Sequence, residues 1–166
     1  MHVEISGLLG DNLARSCFPS DIVLGLNEVL CRAKGFIPYS PLGGGLLTGK
    51  YGSGKKPASG RLVSHKIYAT RYGDAQDYEI ADRFVEFARS RGFDPASLAV
   101  AWVGGHPAVT APIIGARNVE QLRSSIASVD IPMTPELRAE ISALSPEPPP
   151  ATDRSEERTS FHFGIR

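Results

Sequence analysis

FIPYSPLGGGLLTGKY, residues 36–51, decides how this chain is read. A short apolar run ends in Tyr39-Ser40-Pro41, three glycines follow, and Gly49-Lys50 closes the stretch. Phe36–Tyr39 has the composition of a short buried strand that runs straight into turn residues. The glycines then allow a ligand to approach the backbone. Gly44 to Lys50 also spells G-x-x-x-x-G-K, the opening of a nucleotide-triphosphate loop, but the next residue there must be Ser or Thr to hold magnesium. Here it is Tyr51, and the following GSGKKPASG, residues 52–60, is no helix start. The NTPase reading fails on both counts.

A second stretch complements the first. PIIGARNVEQL, residues 112–122, ends a buried strand expected over Val109–Ala116 and opens a helix. Asn118 is the expected N-cap and Gln121 stands at the capping-box position. Helix N-termini carry free N–H groups and a positive dipole end, which favour anions. Arg117 lies just ahead of that terminus, where a guanidinium suits a phosphate, and Gln121 lies one turn further in, within reach of a base edge.

Together the two stretches resemble the aldo-keto reductase family: GFIPYSPLGGGLLTGKY is similar to its seventh-strand segment, PIIGARNVEQL to its eighth, and the spacing between them fits. The resemblance covers about residues 20–146, leaving residues 1–19 unmatched and 147–166 as a polar, proline-rich tail. It implies an α/β fold, the C-terminal part of a (β/α)8 TIM barrel, which binds NADP(H) at the C-terminal ends of its strands and reduces aldehydes and ketones by hydride transfer. It further implies that Tyr39 stacks on the nicotinamide. Ser40, Pro41, Leu42, Gly45, Leu47 and Lys50 would run along the ribose and pyrophosphate. Ile114, Gly115, Ala116 and Arg117 would cradle the 2′-phosphate, with Arg117 selecting NADP over NAD, and Gln121 would contact adenine. Where the family commonly has Asn, this chain has Ser125, a shorter side chain with fewer donors, which implies a weaker adenine contact.

The rest of the chain reads as helices around these segments. Residues 21–33 place Ile22, Leu26, Val29, Leu30 and Ala33 along one helical face, capped by Ser20 or Asp21 and ended by Gly35. Residues 40–77 read as a long irregular segment. A helix is expected from Asp77 to Gly92, with Ile80, Phe84, Phe87 and Ala88 on its apolar face. Asp94-Pro95 then caps and opens a helix that is apolar on all sides and so buried, broken by His106-Pro107. Helices from Asn118 to about Ser128 and from Thr134-Pro135 to about Leu144 complete the order. Alternating strands and helices mean parallel pairing. Two strands alone make a poor sheet, so the segment reads as an incomplete barrel.

Composition excludes other classes. The 18 Lys and Arg balance 18 Asp and Glu, so nothing suggests a nucleic-acid partner. Cys17 and Cys31 are the only cysteines and the four histidines are scattered, which speaks against a metal site and suits two reduced thiols better than a disulfide. No stretch approaches the ~20 apolar residues of a membrane span. A cytoplasmic protein is expected.

The family's chemistry uses an Asp, Tyr, Lys and His set, in which the Tyr donates a proton and the Lys and Asp tune it. Nothing in this chain corresponds to that set. Lys66, Tyr68, Tyr72 and Asp74 are of the right types in the wrong place. The chain is therefore expected to hold the cofactor-binding part of an oxidoreductase and to be inactive alone, with a carbonyl substrate only if the barrel is completed. The alternatives are a non-catalytic nucleotide-binding or regulatory module, like the family's channel-associated members, and an inert truncated remnant. Open barrel edges are expected to favour self-association.

Overall fold

The computed structural model describes residues 37–55, 57–73, 75–107 and 109–145. The helix expected over 21–33, the start of the first strand at Phe36, both cysteines, Asp74, the N-terminal segment and the tail lie outside them. The described elements are a 3₁₀ turn at Gly43–Thr48, α1 (Arg61–Ser64), α2 (Lys66–Arg71), α3 (Ala75–Ser90), α4 (Pro95–Gly104), α5 (Val119–Ile126), a 3₁₀ turn at Ala127–Asp130, and α6 (Pro135–Ser142).

The segment over 40–77 is not irregular: the glycine turn, α1, α2 and the start of α3 fall within it. Gly/Ser/Lys composition hid them because α1 and α2 are short and carry no full amphipathic period. The two expected strands appear, among the described residues, as one isolated parallel bridge between Tyr39 and Ile113. Ile113 N–H donates to Pro38 O at 2.7 Å. Pro38, Pro41 and Pro112 carry no N–H, so none of them can donate to the ladder at this point.

The helices form for the reasons legible in their sequence. α3 contains no Gly or Pro and buries Asp77, Ile80, Ala81, Phe84, Val85 and Ala88, spaced along one helical face. The Asp94 carboxylate accepts from Ser97 N at 2.9 Å and Pro95 takes the first turn of α4, where its missing N–H costs nothing. α4 buries Pro95 and every residue from Ser97 to Val103. Thr134 caps α6 by accepting from Leu137 N at 3.2 Å. α4 and α6 are locked reciprocally: the Arg138 guanidinium donates to Trp102 O at 2.6 Å, and Trp102 Nε1 donates to Arg138 O at 3.2 Å. The guanidinium also lies 4.7 Å from the Trp102 ring centre, a cation–π contact. Burial pulls the Arg138 guanidinium below its ordinary value.

One core joins these parts. Leu46, Leu47, Tyr51 and Leu62 from the turn region meet Ile80 and Phe84 of α3, Leu98 and Trp102 of α4, and Ile141 of α6. Tyr51 is 2% exposed, and its hydroxyl accepts from Leu62 N at 3.2 Å. This latch requires Gly60: its φ is +153°, and a Cβ there would collide with the Tyr51 hydroxyl. A second tie holds the 52–55 turn to α3. Asp82 accepts from Ser53 Oγ at 2.6 Å and from Ser53 N at 2.8 Å, with Lys55 Nζ 4.0 Å away.

Two predictions concern these ties. Gly60→Ala both strains the backbone and displaces Tyr51, so it should lower unfolding free energy by ~2–4 kcal/mol. Denaturant titration reads this directly, and an unchanged midpoint would refute the latch. The hydrogen bond from the Ser53 hydroxyl, helped by the Ser53 N–H and Lys55, holds the Asp82 carboxyl below the ordinary value of 3.8. A carboxyl depressed on folding stabilises above its unfolded value, and that contribution is lost as pH falls through the folded one. The stability gap between wild type and Asp82→Asn should therefore be constant above about pH 5 and shrink below about pH 4. Its size should stay under ~1 kcal/mol, because the site is partly exposed. A gap that widened on acidification would contradict the assignment.

Candidate functional site

The Tyr39–Ile113 bridge brings the two sequence stretches side by side, and a cleft of about 550 Å³ lies between them. That size falls in the range of small-molecule and cofactor sites. One wall is Tyr39, Ser40, Pro41, Leu42, Gly44, Gly45, Thr48 and Lys50. The other is Ile113, Ile114, Gly115 and Arg117, followed by Asn118, Glu120, Gln121, Ser124 and Ser125 of the α5 cap and helix. Asp94 and Ala96 contribute from the start of α4, and Arg61 from α1.

The first wall is a strained turn. Ser40 has φ +59°, and Gly43, Gly44 and Gly45 all have positive φ. A serine in the left-handed region costs on the order of 1 kcal/mol, and such residues cluster at ligand sites. Leu42 O accepts from Gly45 N at 2.9 Å, and Thr48 Oγ1 donates to Gly45 O at 2.7 Å. Gly45 is favoured by its φ of +100°, and a Cβ there would press on the end of the Lys50 side chain, 3.0 Å from Cε and 3.1 Å from Nζ, which would have to shift. The absence of a Cβ lets the ammonium lie close over the turn. The same ammonium sits 4.8 Å from the Tyr51 ring centre.

The second wall is a capped helix start. Asn118 Oδ1 accepts from Gln121 N at 2.9 Å. Gln121 reaches back one residue further than a capping box does: its Oε1 accepts from Arg117 N at 3.0 Å, not from Asn118. That bond fixes the backbone of Arg117 and leaves the Gln121 amide NH₂ as its donor group. α5 is itself anchored to α4. Ser97, 4% exposed, has its hydroxyl 2.6 Å from Ser124 O and 2.9 Å from Asp94 Oδ2.

Of the residues expected at a cofactor site, Tyr39, Ser40, Pro41, Leu42, Gly45, Lys50, Ile114, Gly115, Arg117, Gln121 and Ser125 line this one cleft. Leu47 does not: it is 1% exposed and packs in the core, since the 3₁₀ turn rotates it inward. Ala116 is exposed outside the lining. Arg61, Thr48, Asp94, Ala96, Glu120 and Ser124 line it without having been expected. Arg61 could not be found by pattern, because only the fold of α1 returns it to the turn, where it lies 5.5 Å from the Tyr68 ring centre. Lys66, Tyr68 and Tyr72 do not line the cleft.

Chemically, the cleft offers three cations, Lys50, Arg61 and Arg117, against two carboxylates, Asp94 and Glu120. Apolar Pro41, Leu42, Ile113 and Ile114 lie beside them. Ser125 is 2% exposed, lines the cleft, and its hydroxyl has no hydrogen-bond partner among the described residues. A buried unpaired hydroxyl is costly and points to a missing polar partner. Such a surface suits an elongated ligand with phosphate charges and flat apolar faces. Among the described residues, no group of acidic, His or Cys side chains could hold a metal, and no helix is long and apolar enough to cross a membrane.

Comparison with known proteins gives the following. The profile of the Aldo/keto reductase family matches residues 20–146. "Protein tas" of Escherichia coli is 38% identical over 108 residues, 65% of this chain and 31% of that protein. "Uncharacterized oxidoreductase YrpG" of Bacillus subtilis is 34% identical over 125 residues, 73% of this chain and 36% of its own length. "Probable voltage-gated potassium channel subunit beta" of Oryza sativa is 33% identical over 123 residues, 72% of this chain and 38% of its own. The chain thus spans about a third of the length of these curated relatives.

One prediction concerns the anchor between the two helices. Ser97→Ala removes a buried hydroxyl that ties α5 to the α4 cap, and should cost ~1–2 kcal/mol. Amide hydrogen exchange should speed up in α5 more than in α6. Equal protection in both variants would mean that the Ser97–Ser124 bond does not hold α5.

Proposed function

The chain belongs to the aldo/keto reductase family, and on that premise we propose that its cleft binds NADP(H) as the cofactor-holding part of a carbonyl reductase. The observation that carries the reading is the convergence of the two stretches, residues 39–50 and 113–125, on one cleft with three cationic side chains.

The residues present fit the dinucleotide. Gly45, with φ +100°, keeps the turn bare beneath the Lys50 ammonium, Lys50 and Arg61 suit a pyrophosphate, and the buried Ser125 hydroxyl awaits a polar partner. Tyr39, 46% exposed at the end of its segment, offers a ring face on which the nicotinamide stacks. Arg117, its backbone held by Gln121, takes the 2′-phosphate. When bound, NADPH supplies a hydride to a carbonyl carbon. The chain's own residues bind and orient it, and the proton for the product alcohol comes from a group that nothing in residues 20–146 matches. We therefore expect the chain alone to leave aldehydes unreduced.

A second reading, a nucleotide-binding regulatory module without turnover, is favoured by the similarity to the rice protein named as a potassium channel subunit. Both readings share the cofactor site. Both also need a cover for the apolar side chains Ile37, Ile113, Val119, Ile126 and Val129, which are more than half exposed. A second copy or the remainder of a barrel supplies it.

Arg117→Met tests the phosphate assignment. A charge-assisted bidentate contact is worth ~1.5–3 kcal/mol, or about 10- to 150-fold in affinity. Wild type should prefer NADPH to NADH by that factor in a nucleotide-fluorescence titration. The variant should lose most of the preference while NADH binding hardly changes. Equal wild-type affinity for both nucleotides would remove Arg117 from the site.

A further inference from the structure

We propose that the outward face of α5 pairs with the same face of a second copy of this chain, antiparallel, across a two-fold axis near position 124. The contact is a helix face, not a strand edge, and it does not depend on what the cleft binds.

α5 and the 3₁₀ turn that continues it lie inside out for a surface helix. Ser125 is buried and Ser124 and Ser128 are half-buried, whereas Val119, Leu122, Ile126 and Val129 are 40% to 80% exposed. A surface helix ordinarily turns its apolar stripe to the core and its polar side to water. The steps between these four residues are three, four and three. The 3₁₀ turn at Ala127–Asp130 follows α5 without a break. The four therefore stand in one row, at the spacing of a helix-pairing seam. An uninterrupted exposed apolar row of this kind marks an interaction surface.

The order of the row says what covers it. It is a palindrome about position 124: Leu122 and Ile126 stand two residues to either side, Val119 and Val129 five. Two antiparallel copies set Leu122 against Ile126 and Val119 against Val129. Each pair occurs twice, as a two-fold contact requires, and no apolar member of the row faces a polar one. The charges agree with the same register. Glu120 stands across from Ser128 and Arg123 from Ser125, so no charge meets one of its own sign. Asp130 stands across from Asn118, the cap of α5 in the other copy, where the positive end of the helix favours a carboxylate. A partner of unrelated sequence gives no reason for this symmetry.

Sedimentation equilibrium of the full chain tests the pairing. Wild type should be a dimer. Leu122→Glu and Ile126→Lys each place two charges in the seam and should raise the dissociation constant on the order of 100-fold or more. Mixed together, the two variants should form a dimer again. The new carboxylate then faces the new ammonium, while the unchanged Ile126 of one copy meets the unchanged Leu122 of the other. A second readout leaves the seam free of charge. In chains carrying Cys17→Ser and Cys31→Ser, a mixture of Val119→Cys and Val129→Cys proteins should give the mixed disulfide on oxidation and little of either symmetric one. Identical positions lie about 15 Å apart along the antiparallel pair, too far for a disulfide. A monomeric wild type overturns the proposal. So does a dimer that both charged variants leave intact, a mixture of those variants that stays monomeric, or symmetric disulfides in place of the mixed one.

Discussion

A single backbone hydrogen bond, from Ile113 N–H to Pro38 O at 2.7 Å, sets where both walls of the cleft lie. Pro38, Pro41 and Pro112 beside it carry no N–H to donate to a ladder. On one side of it the chain turns at once through Ser40 and the three glycines. On the other it runs four residues to Arg117 and the cap of α5. The geometry of the cleft is thus fixed by a short parallel contact and by what each strand end does next, the arrangement that places ligands at the carboxyl ends of strands in α/β folds.

The helices behind the bridge hold that geometry. α4 is largely buried, and the Ser97 hydroxyl, 2.6 Å from Ser124 O, ties its capped start to α5. The Tyr51–Leu62 latch holds α1 against the glycine turn, which brings Arg61 to the cleft. The same residues serve two ends: Asp94 caps a helix and lines the cleft, and Gln121 fixes the Arg117 backbone through its Oε1 and leaves its amide NH₂ as a donor.

Much of this was legible in the sequence, and the limits have physical causes. Asp94-Pro95, Asn118 and Thr134-Pro135 each marked a helix start, because capping is local chemistry read from adjacent residues. Tyr39 through Lys50 and Ile114 through Ser125 could be named because their types and order carry the family pattern. The rotation of the 3₁₀ turn is set by tertiary packing, so no local pattern shows that the Leu47 side chain packs into the core. α1 and α2 were missed because four- and six-residue helices show no periodicity. Arg61 and Asp94 reach the cleft through tertiary contacts, Tyr51 to Leu62 and Ser97 to Ser124, that no local pattern encodes.

The central claim is that residues 39–50 and 113–125 form one dinucleotide site. Backbone amide NMR of the chain titrated with NADPH tests it most directly. The account predicts saturable shifts confined to residues 39–50, Arg61, residues 94–97 and residues 113–125, with α6 unmoved. Saturable shifts elsewhere, or shifts in one wall of the cleft without the other, would contradict it.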